Sequence, residues 1–137
     1  MSNPRRTPLL CAYNGTPAAL AAGLATLNLL EEPGALESLD ARAGELRSGL
    51  AEIGRRRGEP LAVLGTGSVV DFYFTSDEIR SSREVWRSDL VRRRTLDYRL
   101  LAAGIYNAPV HRYHLSLAHT PDDVSHTLDL VERSLDA

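Results

Sequence analysis

The sequence predicts an α+β fold, with a small, mostly antiparallel sheet and helices packed on one face of it. Three segments space their apolar residues by three and four positions, as amphipathic helices do, and a fourth is apolar almost throughout. Four shorter segments between turn residues favour strands. The order is helix, helix, strand, strand, helix, strand, strand, helix, without a repeat or a low-complexity linker.

The first helix is predicted over residues 17–31, since Thr16 suits the N-cap and Pro17 the first helical position. Within this helix no charged residue precedes Glu31, and a helix that is apolar on nearly every side lies in a core or in an interface. A domain of this size has too few other elements to cover such a helix. We therefore predict a homodimer, or a larger assembly, through residues 9–30.

The next three elements have local boundary signals. A second helix is predicted over residues 35–57, where a three- and four-residue apolar spacing ends at Gly58. Residues 61–64 predict a short strand and residues 65–67 a turn. Residues 68–75 are the clearest strand, because apolar side chains there fall on every second position.

The second half repeats the pattern of helix, strands and helix. A third helix is predicted over residues 83–103, followed by a short strand at residues 105–106. Residues 113–118 predict a further strand. Thr120 and Pro121 begin the last helix, with Thr120 as its cap.

Composition limits the function classes. The formal net charge is −2, so the chain lacks the basic excess of a nucleic-acid surface. No apolar run is long enough to cross a membrane, and we expect a cytoplasmic protein. All sixteen basic residues are arginine, so no side-chain amine is available for a Schiff base. We expect a leader at residues 1–11 and a single domain over residues 12–137.

Four groups of segments carry a colinear pattern: residues 14–17 with 21–27 and 30–34, residues 67–68 with 72–75, residues 103–109, and residues 115–120. They are similar to S-G-N-P-L-A-x-A-A-G-L-A-T-L, G-S-M-F-x-x-F-F-T, R-G-V-Y-L-A-P and L-S-x-A-H-T. In this order they resemble the C-terminal small domain of class III pyridoxal-phosphate aminotransferases, and most of all the glutamate-1-semialdehyde 2,1-aminomutases. The resemblance covers about residues 12–136.

The resemblance implies a large domain upstream, with the Schiff-base lysine and most of the cofactor contacts, and that sequence is not among the 137 residues. We therefore expect no cofactor on this chain and no transaminase or aminomutase activity from it alone. Ala12 stands where the family has a phosphate-contacting Thr, and His114 where many members have a carboxylate-binding Arg. The expected small-domain contacts are therefore altered.

The densest group of polar and aromatic side chains surrounds the strand predicted over residues 113–118. Imidazoles titrate near neutral pH and phenols can stabilise an oxyanion, so the catalytic candidates are His111, His114 and Tyr113. An arginine can hold a carboxylate or phosphate with two hydrogen bonds. The substrate-binding candidates are Arg112, Tyr106, Asp71, Tyr73 and Ser116. The alternative is a surface that packs on another subunit or faces water, and no metal site is predicted.

Three hypotheses for function follow. The chain is a free-standing small domain that binds or converts a small molecule without pyridoxal phosphate, by acid/base chemistry of an isomerase, lyase or cyclase kind if it is an enzyme. Alternatively it is the C-terminal half of a split aminotransferase or aminomutase, docked on a separately encoded large domain. A non-catalytic scaffold or remnant is the third. The altered contact residues favour the first.

Overall fold

The computed structural model of the protein describes residues 15–135. The expected leader, Ala12 and most of the segment before the first helix lie outside these residues. Two compact units are present, and the boundary between them falls after Ala35.

The first unit contains helix α1, Pro17–Leu30. Thr16 has extended backbone dihedral angles and Pro17 occupies the first helical position, as predicted. No residue of α1 is buried. Its large apolar side chains are more than half exposed: Leu20 63%, Leu24 62%, Leu27 59% and Leu29 52%.

The second unit is a three-stranded antiparallel sheet, in the order β1–β2–β3, with four helices. Its elements are α2 (Ala35–Arg57), β1 (Leu61–Leu64), β2 (Val69–Phe74), α3 (Ser82–Val85), α4 (Leu90–Ala102), β3 (Tyr113–His114) and α5 (Pro121–Leu135). The predicted α+β class and the antiparallel sheet are confirmed.

One face of β2 supplies the centre of the core. Val70, Phe72 and Phe74 are at most 4% exposed, and they pack with the apolar stripes of α2, α4 and α5. The stripes consist of Ala43, Leu46, Leu50, Ile53, Leu96, Leu100, Val124, Leu130 and Val131. Helices therefore cover this face of the sheet, as the alternation in β2 predicts.

The hairpin between β1 and β2 turns at a glycine that no other residue could replace without displacing the backbone. Gly65 has a φ of 142°, and a Cβ atom built on it would lie 2.1 Å from the Val69 carbonyl oxygen. Gly67, in the same turn, has a φ of 53° and open space around it. Arg47 donates a hydrogen bond to the Gly67 carbonyl oxygen at 2.9 Å, which joins α2 to the turn.

The single helix predicted over residues 83–103 is wrong, because the chain forms two helices there. The Asp89 backbone N–H would be needed to continue α3, but it donates instead to the Phe74 carbonyl oxygen at the end of β2 (3.0 Å). The Asp89 side chain then caps α4 by accepting from the Arg92 N–H (2.9 Å). Trp86 follows α3 and is 76% exposed.

Two strand predictions also need correction. Residues 105–106 have no strand structure, and the strand predicted over residues 113–118 is reduced to β3. After β3, only the Leu115 N–H continues toward β2, donating to the Ser68 carbonyl oxygen (2.9 Å). The chain then turns, because the Ser116 N–H donates to His119 Nδ1 (2.9 Å).

Within residues 15–135, no helix combines the length and the hydropathy that a bilayer crossing requires.

Candidate functional site

A buried arginine lies between two carboxylates at the junction of β2 and α4. Arg93 is fully buried, Asp97 is 2% exposed and Asp71 is 7% exposed. Arg93 Nη1 lies 2.9 Å from Asp71 Oδ1, and Arg93 Nε lies 3.0–3.1 Å from the two oxygens of Asp97. We call these three residues the Arg93 cluster. Burial lowers the pKa of Arg93, but the neighbouring carboxylates outweigh it and raise the pKa, so Arg93 is charged.

Two tyrosines attach to the Arg93 cluster through their hydroxyl groups. Tyr73 donates to Asp71 Oδ2 at 2.6 Å, and Tyr113 donates to Asp97 Oδ1 at 3.4 Å. Burial, followed by the hydrogen bond to Asp71, raises the pKa of Tyr73 to about 12. Burial and then the charge of Asp97 raise the pKa of Tyr113 above its ordinary value. Both phenols are therefore neutral donors at physiological pH.

A cavity of about 590 Å³ lies beside the Arg93 cluster, between the loop after α4, β3 and the first turns of α5. Predicted site residues from the loop after α4 and from β3 line the cavity, together with side chains from the turn before α5 and from α5 itself. The polar lining includes Tyr106, Arg112, His114, His119, Asp123 and His126. Tyr113 also lines it, although its phenol is held by Asp97.

One cation that lines this cavity, Arg112, has no counterion among residues 15–135. Among residues 15–135, no hydrogen bond or ion pair engages the Arg112 side chain. The carboxylate of Asp123 binds within the protein: it accepts hydrogen bonds from the Thr120 N–H (2.7 Å) and hydroxyl (2.8 Å) at the start of α5. These hydrogen bonds lower the pKa of Asp123, so it is ionised and forms a capping box with Thr120, the N-cap of α5.

Three other predicted site residues lie outside the lining of the cavity. Asp71 and Tyr73 belong to the buried network, where each already has an internal partner. His111 is held through its backbone, since its carbonyl oxygen accepts from Arg93 Nη2 and from Asn107 Nδ2, each at 2.9 Å. Their roles in binding or catalysis stay predictions.

Ser116 also lies outside the lining, and it closes the turn that follows β3. Its backbone N–H and its hydroxyl both approach His119 Nδ1, at 2.9 and 3.1 Å. The backbone N–H occupies the lone pair that a base would need to activate the hydroxyl. The pair therefore shapes the turn and orients the His119 ring at the cavity.

Sequence reasoning did not identify Arg93 and Asp97. A signal for them exists: they are four residues apart, and they continue the stripe of Leu96 and Leu100 that faces the core. A charged pair on an apolar stripe indicates a buried ion pair. His126, which is exposed, also lines the cavity. Within the described part of the chain, no three His, Cys, Asp or Glu residues are arranged to hold a metal ion.

Comparison with known proteins identifies homologues along most of the chain. No protein-family model matches it. It is 38% identical to the glutamate-1-semialdehyde 2,1-aminomutase of Thermus thermophilus over 89% of this chain, and 36% identical to that of Laribacter hongkongensis over 88%. The chain spans about 29% of the length of each of these relatives.

A solved structure shows the same fold. A β-phenylalanine aminotransferase from Variovorax paradoxus superimposes on 98% of this chain with a TM-score of 0.80 and 28% sequence identity, and the match covers 32% of that enzyme. The sequence similarity and the fold thus agree with the resemblance seen in the sequence. The chain is therefore homologous to the C-terminal region of class III aminotransferases.

Proposed function

We propose that this segment binds a small anionic molecule, a carboxylate or a phosphate, in the 590 Å³ cavity, without pyridoxal phosphate attached to it. The observation that carries the proposal is the position of Arg112, a guanidinium on the cavity wall with no ion-pair partner among residues 15–135. A planar guanidinium forms two parallel hydrogen bonds with a carboxylate or a phosphate.

The residues present do not fit pyridoxal phosphate as a covalently held group. Aminotransferases hold this cofactor through a lysine amine, and the 137 residues contain no lysine. The polar lining of the cavity offers a guanidinium, imidazoles, phenols, an amide, a hydroxyl and one carboxylate, and none of them forms a Schiff base. The proposal therefore uses no chemistry of this cofactor.

His114 is the best-supported candidate for proton transfer. It is exposed, it lines the cavity, and it follows Tyr113 in β3, so the sheet holds its backbone. Tyr113 already donates its hydroxyl proton to Asp97, so its contribution would be to fix the position of β3 beside His114. Isomerase-, lyase- or cyclase-like acid/base chemistry is the reaction class that these groups could perform.

Calorimetric titration with succinate tests the binding proposal, with inorganic phosphate as a second probe and neutral succinamide as the uncharged control. We expect succinate to bind and succinamide not to bind. Arg112→Gln should weaken succinate binding by about tenfold or more, since it removes a charge-assisted bidentate contact.

The matched control for this titration is Arg80→Gln. Arg80 is exposed, pairs with Glu78 at 2.6 Å, and does not line the cavity, so this variant should bind succinate as the unmutated chain does. Equal affinity of the Arg112→Gln variant and the unmutated chain, or equal binding of succinamide, would contradict the proposal.

A second observation, the uncovered surface of α1, favours an assembly. We infer a homodimer through residues 9–30, because four leucines of α1 are each more than half exposed and no residue of the helix is buried. A separately encoded large domain is the alternative occupant, since the relatives are about three times longer than this chain. In that case the segment is the C-terminal half of a split enzyme.

Light scattering distinguishes these assemblies. At a concentration of about tens of micromolar, the exposed apolar surface of α1 should be enough to keep the chain dimeric. The unmutated chain should then have about twice the monomer mass of 15.0 kDa. Ala22→Glu, in the middle of α1, should shift it to monomer or aggregate, whereas Ala41→Glu on the exposed side of α2 should leave the mass unchanged. A monomer of the unmutated chain contradicts the homodimer and leaves the large domain as the occupant.

A further inference from the structure

The loop between α4 and β3 contains an unusual backbone conformation. Val110 has a φ of 60°, and it is the one residue other than glycine with a positive φ among residues 15–135. A β-branched side chain strongly disfavours this region, so the conformation persists only where surrounding contacts hold it. The loop leads directly to Arg112, the cation of the cavity.

Those contacts come from the Arg93 cluster. The Val110 N–H donates to Asp97 Oδ2 at 2.6 Å. Arg93 Nη2 donates to the carbonyl oxygen of the next residue, His111, at 2.9 Å. Asp97 and Arg93, which form a buried ion pair, thus fix the backbone of Val110 and His111, immediately before Arg112.

The geometry points to Asp97 and Arg93 as positioning residues, which hold the strained turn at Val110 so that Arg112 faces the cavity. This inference deepens the proposed function and rests on it. The carboxylate acts as an acceptor for one backbone N–H, and the guanidinium as a donor to one carbonyl oxygen. Neither side chain contacts the ligand.

Asp97→Ala tests the inference, because it removes the acceptor of the Val110 N–H and leaves Arg93 paired with Asp71. Two readouts are measured: hydrogen exchange of the Val110 amide by NMR, and affinity for succinate. We expect exchange to accelerate and affinity to fall, each by about tenfold or more. The amide oxygen of Asp97→Asn can still accept the hydrogen bond. The exchange rate and the affinity of this variant should therefore lie between those of the unmutated chain and of Asp97→Ala.

Rescue separates positioning from stability. Adding Val110→Gly to Asp97→Ala should return the affinity to within about threefold of the unmutated chain, because glycine adopts a positive φ without steric cost. Leu96→Val is the control: Leu96 is buried in α4 and does not line the cavity, so this variant should lower the Tm without changing succinate affinity.

Three results would overturn the inference. In the first, the Asp97→Ala variant keeps the slow exchange of the Val110 amide and binds succinate normally. In the others, Leu96→Val loses as much affinity as Asp97→Ala does, or Val110→Gly does not restore the affinity. If the unmutated chain does not bind succinate, the proposed function fails, and the Val110 exchange data alone decide the positioning role. If Asp97→Ala does not fold, Asp97→Asn provides both readouts.

Discussion

Arg93→Met is expected to lower the free energy of unfolding by about 3–5 kcal/mol, because it leaves two buried carboxylates without their cation. Asp71 and Asp97 would then have to be buried unpaired or take up protons. The guanidinium also lies 4.0 Å from the centroid of the Phe72 ring, so packing is lost together with charge. Urea unfolding followed by far-ultraviolet circular dichroism measures the effect.

Two further variants identify the cause of this loss. Arg94→Met changes the neighbouring, exposed arginine of α4 and should change the free energy of unfolding by no more than about 0.5 kcal/mol. Adding Asp71→Asn and Asp97→Asn to Arg93→Met should recover part of the loss, since no buried charge then remains in the cluster. If the triple variant is less stable than Arg93→Met alone, uncompensated charge is not the cause.

Gly65→Ala is expected to cost about 3 kcal/mol or more, through a collision within the backbone of the β1–β2 hairpin. The new Cβ would lie 2.1 Å from the Val69 carbonyl oxygen, a group that cannot move without displacing β2. The same urea titration measures this effect.

Gly67→Ala is the matched control, because it lies in the same turn and a Cβ there meets nothing within 4 Å. Its φ of 53° is the left-handed conformation, so we expect only the ordinary cost of about 1–2 kcal/mol for alanine there. Equal losses in the two variants would show that glycine's backbone freedom, and not close approach of the chain, decides the stability of this turn.

Elements with local boundary signals were predicted within one residue. α1 and α2 are examples: Pro17 begins the first, and Gly58 follows the last residue of the second. The break after α3 was not predictable from the sequence, because the partner of the Asp89 N–H is the carbonyl oxygen of Phe74, a residue of β2. A helix boundary set by a distant strand leaves no trace in local apolar spacing.

The candidate site was also predicted only in part, because some of its residues come together through contacts between elements that are distant in sequence. Tyr106, Arg112 and His114 are neighbours in sequence, and the structure places all three on one cavity. His126 joins them from α5 through the packing of that helix, which the sequence does not encode locally. Asp71 was also predicted as a substrate-binding residue, but its carboxylate is bound by Arg93.

Trp86, the one tryptophan of the chain, is 76% exposed in the folded protein. Its fluorescence emission should already resemble that of indole in water, so unfolding by urea should shift the emission maximum very little. The aromatic circular dichroism of the core, where the Phe72 and Tyr113 rings stack with centroids 6.0 Å apart, is the optical signal that should disappear with the tertiary structure. A blue shift of the tryptophan emission in the native chain would instead report that another surface has covered Trp86.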